Sequence, residues 1–396
     1  MARKNAGPAI SRKEMLKSVK RVVVKVGSAV LTGKEGLNRR VINDLSRDIC
    51  TLREKGIEVI LVSSGAIASG LKKTGLSKKP GSLSQKQALA AVGQPSLMMA
   101  YEKAFAHCGE KVAQILITRD DLSNRRRYLN ARNTIFTLLL WKIVPVINEN
   151  DTVVVDEIKF GDNDNLSAMV TNLTESHLLV NLTNIDGLFD KDPRTNTDAE
   201  LIRVVEKPSA DILRYAGSKP GSLGTGGMAS KIKAGQKTSL AGVPTIIANG
   251  LKRGILARIF RGEETGTLFM PVQSTLCHRK HWIAFTKSSR GEILIDAGAE
   301  KALLKGGKSL LPSGIRGVKG AFNVGDSVAI LNDERHEVAV GLVNYGSADI
   351  KKIMGCRSSQ IESKLGFKHD DEVVHRDNLV ITRDIENGGD LCRLRA

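Results

Sequence analysis

The sequence predicts an α/β protein built on a mainly parallel sheet, followed by a smaller β-rich module. Three observations carry this. Short, nearly continuous Val- and Ile-rich runs recur through the first 250 residues. Longer helical patterns separate them. After about residue 275 the texture changes to short strand patterns divided by glycines. Strands separated by helices argue for parallel βαβ units, and runs apolar on both faces argue for a sheet covered on both sides.

The expected strands are VVVKV (22–26), EVILV (58–62), VAQILI (112–117), IVPVI (143–147), HLLVNL (177–182) and VPTIIA (243–248). Their length and β-branched content favour strand over buried helix. Stretches 39–56 and 84–109 are expected helices. In the C-terminal module the expected strands are HWIAF (281–285), EILID (292–296), DSVAIL (326–331) and EVAVGLVNY (337–345). The segments AGAEKALLKGG and SADIKKIMG read as short helical inserts, and the boundary falls within PVQSTLCHRK (271–280).

The residues at the carboxyl end of each strand point to function. The first strand runs into Gly27-Ser28, the second into Ser63-Ser64-Gly65, the fourth into Asn148-Glu149-Asn150-Asp151. The fifth runs into Thr183-Asn184 and Asp186-Gly187, the sixth into Asn249-Gly250. Small and polar residues gather at these ends, where open α/β sheets bind ligands.

Composition sets outer limits. With 396 residues, 41% hydrophobic and 26% charged, the chain can bury one large core or two, and global disorder is excluded. A net charge of +18 favours anionic partners without choosing among nucleotides, acidic metabolites, RNA and membrane surfaces. The five cysteines are scattered and form no C-x-x-C, so they read as reduced thiols of a cytoplasmic protein. Cys277, His278 and His281 lack a fourth ligand at zinc-finger spacing, and no metal site is expected. No apolar run reaches the roughly 18 residues of a membrane span. The first 20 residues are basic without an apolar core, which reads as a disordered tail rather than a secretory signal.

No G-x-x-x-x-G-K-[ST] occurs, and Gly224-x-Gly226-x-x-Ala229 comes after a polar turn rather than a strand, so P-loop and dinucleotide sites are not supported. The few histidines avoid the strand-end loops, which argues against histidine acid–base chemistry. Phosphate-handling features are present instead. Lys25 interrupts an apolar strand, so it must reach an anion or the sheet edge. GTGGMASK (224–231) is a glycine-rich loop opening a helix, and its free N–H groups suit a phosphate, with Lys231 in the first turns. SSGAIASG (63–70) is a second small-residue turn. FGDNDN (160–165) lacks the ligand order of an EF-hand loop, and helix capping needs only one of its four polar residues.

Together VVVKVGSAVLTG, VSSGAIASG, NENDTV, FGDNDNLSA and GTGGMASK resemble the amino acid kinase family, in the branch acting on L-glutamate. GEILIDAGAEKALLKGGKSLLPSGI, GAFNVGDSVAIL and EVAVGLVNY resemble a PUA domain. The resemblance implies a three-layer αβα sandwich at 21–272 and a PUA domain at 278–383, after a tail at 1–20. It implies ATP- and Mg²⁺-dependent phosphorylation of the glutamate side-chain carboxylate to L-glutamyl 5-phosphate, the first step of proline biosynthesis. Lys25 and Lys231 then flank the transferring phosphoryl group, and Asp164 orients them. Ser64, Gly65, Asp151 and Asn163 are implied to hold glutamate, with Lys159 and Asp162 shaping a glutamate and proline pocket. Lys25, Thr183, Asn184, Thr225, Gly226, Gly227, Met228 and Lys231 are implied for the nucleotide. The family commonly carries Asp where this chain has Asn184. Proline is the implied feedback inhibitor, RNA a candidate partner of the PUA module, and a homo-oligomer, dimer or tetramer, the expected assembly; no membrane partner is expected.

Overall fold

The computed structural model describes residues 12–33, 36–76, 81–153, 163–208, 210–216, 227–272 and 289–382. The chain divides into two compact units. The first runs to Pro271, apart from residues 119–128 and 240–242, which group with the second.

Apart from a short antiparallel pair, Thr32–Gly33 with Gly36–Leu37, the strands of the first unit are β1 (Arg21–Val26), β2 (Glu58–Ser63), β3 (Val112–Ile117), β4 (Val144–Glu149), β5 (Leu178–Thr183), β6 (Val204–Val205), β7 (Thr245–Asn249) and β8 (Thr267–Phe269). They form one sheet in the order β3-β4-β2-β1-β5-β7-β8-β6. All neighbours pair in parallel except β7 and β8, so the mainly parallel sheet is as expected. All six expected strands of this unit form. The expectation that each is buried on both faces fails for β3, which lies at the sheet edge and is only half-buried. Strands β6 and β8 were not read from the sequence, because two or three residues carry no periodicity.

The helices up to Pro271 are α1 (Arg12–Lys17), α2 (Ser28–Leu31), α3 (Arg39–Glu54), α4 (Ala66–Thr74), α5 (Leu83–Ala106), α6 (Arg119–Ser123), α7 (Arg125–Leu140), α8 (Asn163–Leu173), α9 (Met228–Leu240) and α10 (Ile255–Phe260). Alternate residues of β1 enter opposite layers, as the pleat requires. Val22, Val24 and Val26 join a core with Ile42, Leu45 and Ile49 of α3, Leu97 and Phe105 of α5, and Ile255 and Ile259 of α10. The opposite face carries α8 and α9, reached by Lys25. This is the three-layer arrangement. Of the expected tail, residues 1–11 lie outside the described residues, and residues 12–20 depart from it: α1 forms, and Leu16 and Val19 are buried in the core, because an apolar stripe lies within the basic run.

Helices α4 and α5 approach at their backbones. A Cβ on Gly93 would lie 1.9 Å from the Ala66 carbonyl oxygen, and one on Gly70 would lie 1.9 Å from that of Leu89. Only glycine fits at such a crossing. The same packing sets α4, whose N-cap is Gly65, against the end of β2.

The second unit has its own five-stranded sheet, ordered β10-β9-β11-β12-β13, from β9 (Gly291–Ile295), β10 (Ile315–Gly320), β11 (Ser327–Leu331), β12 (Glu337–Leu342) and β13 (Leu379–Ile381). Helices α11 (Ala297–Gly306), α12 (Ser347–Ile353) and α13 (Ile361–Leu365) accompany it. Ile293, Ile330, Tyr345 and Ile350 are fully buried in a separate core. Both expected helical inserts form, while β10 was missed because IRGVKG is polar and glycine-broken on an exposed edge, and β13 because three residues show no period. The expected strand HWIAF and the group Cys277, His278 and His281 lie outside the described residues.

Candidate active site

Strand β1 sits at the turning point of the sheet. From it the chain builds outward through β2 and β4 on one side and through β5 and β7 on the other. A crevice opens beyond the carboxyl ends at such a point. The central position of β1 removes the edge explanation for Lys25, which is only 4% exposed. Its ammonium must therefore meet an anion.

That anion is Asp164, in the first turn of α8 and 1% exposed. Lys25 Nζ donates to Asp164 Oδ1, as does Asn181 Nδ2 at 2.9 Å. Lys231 Nζ donates to Asp164 Oδ2 at 3.1 Å, and Ser230 Oγ donates to the same oxygen. Two ammonium groups thus converge on one carboxylate. Burial works against ionised Asp164, but Lys25 and Lys231, with hydrogen bonds from Lys25 and Ser230, outweigh it. They hold the carboxyl far below the usual carboxylate range.

Lys231 arrives from α9, which opens at Met228. The Gly227 carbonyl accepts from Ser230 Oγ at 2.8 Å and from Lys231 Nζ at 3.4 Å. Met228 is half-buried at the helix start. Thr183, 7% exposed, closes β5, and Asn184 beyond it is exposed. The nucleotide-assigned residues that are described therefore come from β5 and α9, beside the lysines.

The glutamate-assigned residues gather on the other side of β1. Asn163 Nδ2 donates to Ser64 Oγ at 2.9 Å and to Asn148 Oδ1 at 3.0 Å. Its own Oδ1 is buried and has no hydrogen-bond partner among the described residues. Gly65 adopts φ +110°, so its glycine is required by backbone conformation. Asp151 lies in the turn after β4. Burial, reinforced by Glu149, pushes its carboxyl up to about 7. Lys159, Asp162, Thr225 and Gly226 lie outside the described residues.

Sequence reasoning missed Asn181 and Ser230 as partners of Asp164, and Asn148 as the partner of Asn163. Asn181 had a signal: it interrupts HLLVNL much as Lys25 interrupts VVVKV.

Paired lysines on a shared aspartate, set where a parallel sheet turns, have the charge and placement that suit phosphoryl transfer between two anions. The amino acid kinase family matches residues 20–249, more than half of the chain, and the chain belongs to that family. The PUA domain matches residues 291–365.

Its relatives are narrower in kind. The chain is 52% identical over 372 residues to the glutamate 5-kinase of Syntrophotalea carbinolica, covering 94% of this chain and 100% of the relative. It is 54% identical over 371 residues to the glutamate 5-kinase of Geobacter metallireducens, covering 93% and 100%. Among solved structures, a UMP kinase from Bacillus anthracis superposes with a TM-score of 0.45 at 16% identity, over 64% of this chain and 96% of that one.

Proposed function

We propose that the protein transfers the terminal phosphoryl group of ATP to the side-chain carboxylate of L-glutamate. The products are ADP and L-glutamyl 5-phosphate, which enters proline biosynthesis. The observation that carries this reading is the buried Lys25–Asp164–Lys231 cluster, with glutamate-assigned groups on one side and nucleotide-assigned groups on the other. The relatives named glutamate 5-kinase, matched over nearly the whole chain, support the choice of acceptor.

The chemistry suits these residues. A carboxylate oxygen attacks the terminal phosphorus; the new O–P bond forms as the bond to the bridging oxygen of ADP breaks. The nucleophile is already ionised, so no base has to take a proton. The obstacle is bringing two anions together, which positioning and positive charge overcome. Lys25 and Lys231 offset charge on the transferring group, and Asp164 keeps both ammonium groups converged. Ser64, Gly65, Asp151 and Asn163 hold glutamate: Asp151 and Asn163 bind its ammonium and carboxylate ends, and Gly65 lets the ligand approach the backbone. Lys159 and Asp162, outside the described residues, are assigned to shaping the glutamate and proline pocket. Thr183, Asn184 and the segment Thr225–Met228 hold ATP, with Asn184 contributing hydrogen bonds without charge.

Among the described residues no group of three His, Cys, Asp or Glu gathers to hold a metal, and Asp164 is occupied by four donors. Mg²⁺ fits as part of the incoming ATP complex, where it neutralises phosphate charge. The reading carries proline as a feedback inhibitor at the glutamate pocket, a homo-oligomeric cytoplasmic enzyme, and RNA as a candidate partner of the PUA domain.

The test is an ATP and Mg²⁺ assay across glutamate, N-acetylglutamate, aspartate and uridylate, with and without proline. Glutamate should release ADP and yield an acyl phosphate that hydroxylamine traps as a hydroxamate. ADP release with uridylate or N-acetylglutamate but not glutamate would refute the assignment.

A further inference from the structure

Asp164 accepts four hydrogen bonds, and two of its donors are neutral. A carboxylate offers about four lone-pair sites, two on each oxygen. Here Oδ1 takes Lys25 and Asn181, while Oδ2 takes Lys231 and Ser230. All four sites are filled, so the carboxylate plane cannot swing without breaking a bond.

Asn181 is the donor that nothing in the loop motifs supplies. It lies inside β5, fully buried, directly across the parallel ladder from Lys25. Paired positions on adjacent strands project to the same face, so Asn181 and Lys25 meet Asp164 from neighbouring strands. A polar amide in the centre of a sheet is costly unless hydrogen-bonded, and its Oδ1 has no partner among the described residues. Packing therefore does not account for Asn181; its bond to Asp164 does.

The structure assigns Asn181 as a positioning residue for phosphoryl transfer, acting through Asp164 on the direction of the Lys25 ammonium. Its neutrality matters as much as its donor. An aspartate at 181 would set a second carboxylate beside the two lysines and offset the charge they present to the phosphoryl group. An apolar side chain would leave Oδ1 with one donor fewer and free the carboxylate to rotate. Both effects fall on the transition state and leave glutamate binding, on the far side of β1, untouched. The inference rests on the proposed role of the Asp164 cluster.

The test compares Asn181→Leu and Asn181→Asp with the parent and with Asp164→Asn, using full-length protein, kcat and KM for each substrate, and thermal melting. Leu is close to Asn in size and removes a buried polar group, so the fold should hold. The expected result is a fall in kcat of about tenfold for Asn181→Leu, with the glutamate KM within about twofold. Asn181→Asp should lose more than Asn181→Leu. Asn181→Thr, which keeps a hydroxyl donor, should recover part of the loss and serves if the Leu variant melts early. A Leu variant with kcat within twofold of the parent overturns the inference, as does an Asp variant as active as the parent. If Asp164→Asn is itself fully active, the cluster reading fails first; if it is inactive while Asn181→Leu is normal, only the role of Asn181 fails.

Discussion

Asp151 makes glutamate binding depend on pH in a direction that can be worked out. Its carboxyl stands near 7 against an ordinary value of 3.8, raised by burial and by Glu149. In the proposed complex it meets the glutamate ammonium, and only the ionised form attracts a cation. With a value near 7, about 9% of the free enzyme is ionised at pH 6 and about 91% at pH 8. kcat/KM for glutamate should therefore rise about tenfold between those pH values and level off above them. Once glutamate is bound, its ammonium stabilises the carboxylate, so kcat at saturating glutamate should change much less. The assay is ADP release at saturating ATP and Mg²⁺ across pH 5.5 to about 9, with Asp151→Asn as comparator because ATP also titrates. The Asn variant should raise the glutamate KM by roughly thirtyfold, the loss of one charged hydrogen bond of about 2 kcal/mol, and should lack the rising limb. A parent profile flat from pH 6 to 8 would defeat the reasoning, as would an Asn variant with the same limb. The linkage to stability has the opposite sign from that of Asp164. Folded Asp151 holds its proton more tightly than the unfolded chain, so its contribution weakens as pH rises from about 4 towards 7. Folded Asp164 is depressed, so its contribution is complete above the ordinary carboxylate value and is lost only as pH falls through the depressed one.

Two further outcomes come from the packing. Lys25→Ala and Lys231→Ala should each lower kcat by about 10²- to 10³-fold, the scale for removing one preorganised group that stabilises transition-state charge. Each variant takes one ammonium from a buried carboxylate, so Tm should fall as well; near-normal turnover in either folded variant would remove that lysine from the chemistry. Gly93→Ala would drive a Cβ to 1.9 Å from the Ala66 carbonyl and 2.4 Å from the Gly70 nitrogen. The α4–α5 contact would have to open, at a cost of about 3 kcal/mol, or roughly 6–12 °C in Tm for a domain of this size. Because Ser64 and Gly65 lead directly into α4, the glutamate KM should rise as well; a Tm within about 2 °C of the parent would show that the two helices can separate freely.

The sheet was legible because its central strands are apolar on both faces, a pattern few other elements share. Strands β6, β8, β10 and β13 were not, since they are too short or too exposed for a period to show. The site was legible in outline for a related reason. Lys25 stood out as a charge inside an apolar run, and charge there requires a partner. That requirement does not name the partner: Asp164 lies 139 residues away in the chain. The same reasoning extends to Asn181, which breaks HLLVNL as plainly, but an amide carries a smaller penalty than a charge and draws less notice. The run FGDNDN shows what the fold adds to such a reading. Asn163 and Asp164 are adjacent in the sequence and begin one helix. Asn163 faces Ser64 and Asn148, while Asp164 faces the two lysines. Successive residues of a helix point about 100° apart, so neighbours in a helical turn can serve two different pockets. On the proposed reading one turn of α8 separates acceptor from donor, a division that arises from helical geometry acting on residues of similar chemistry.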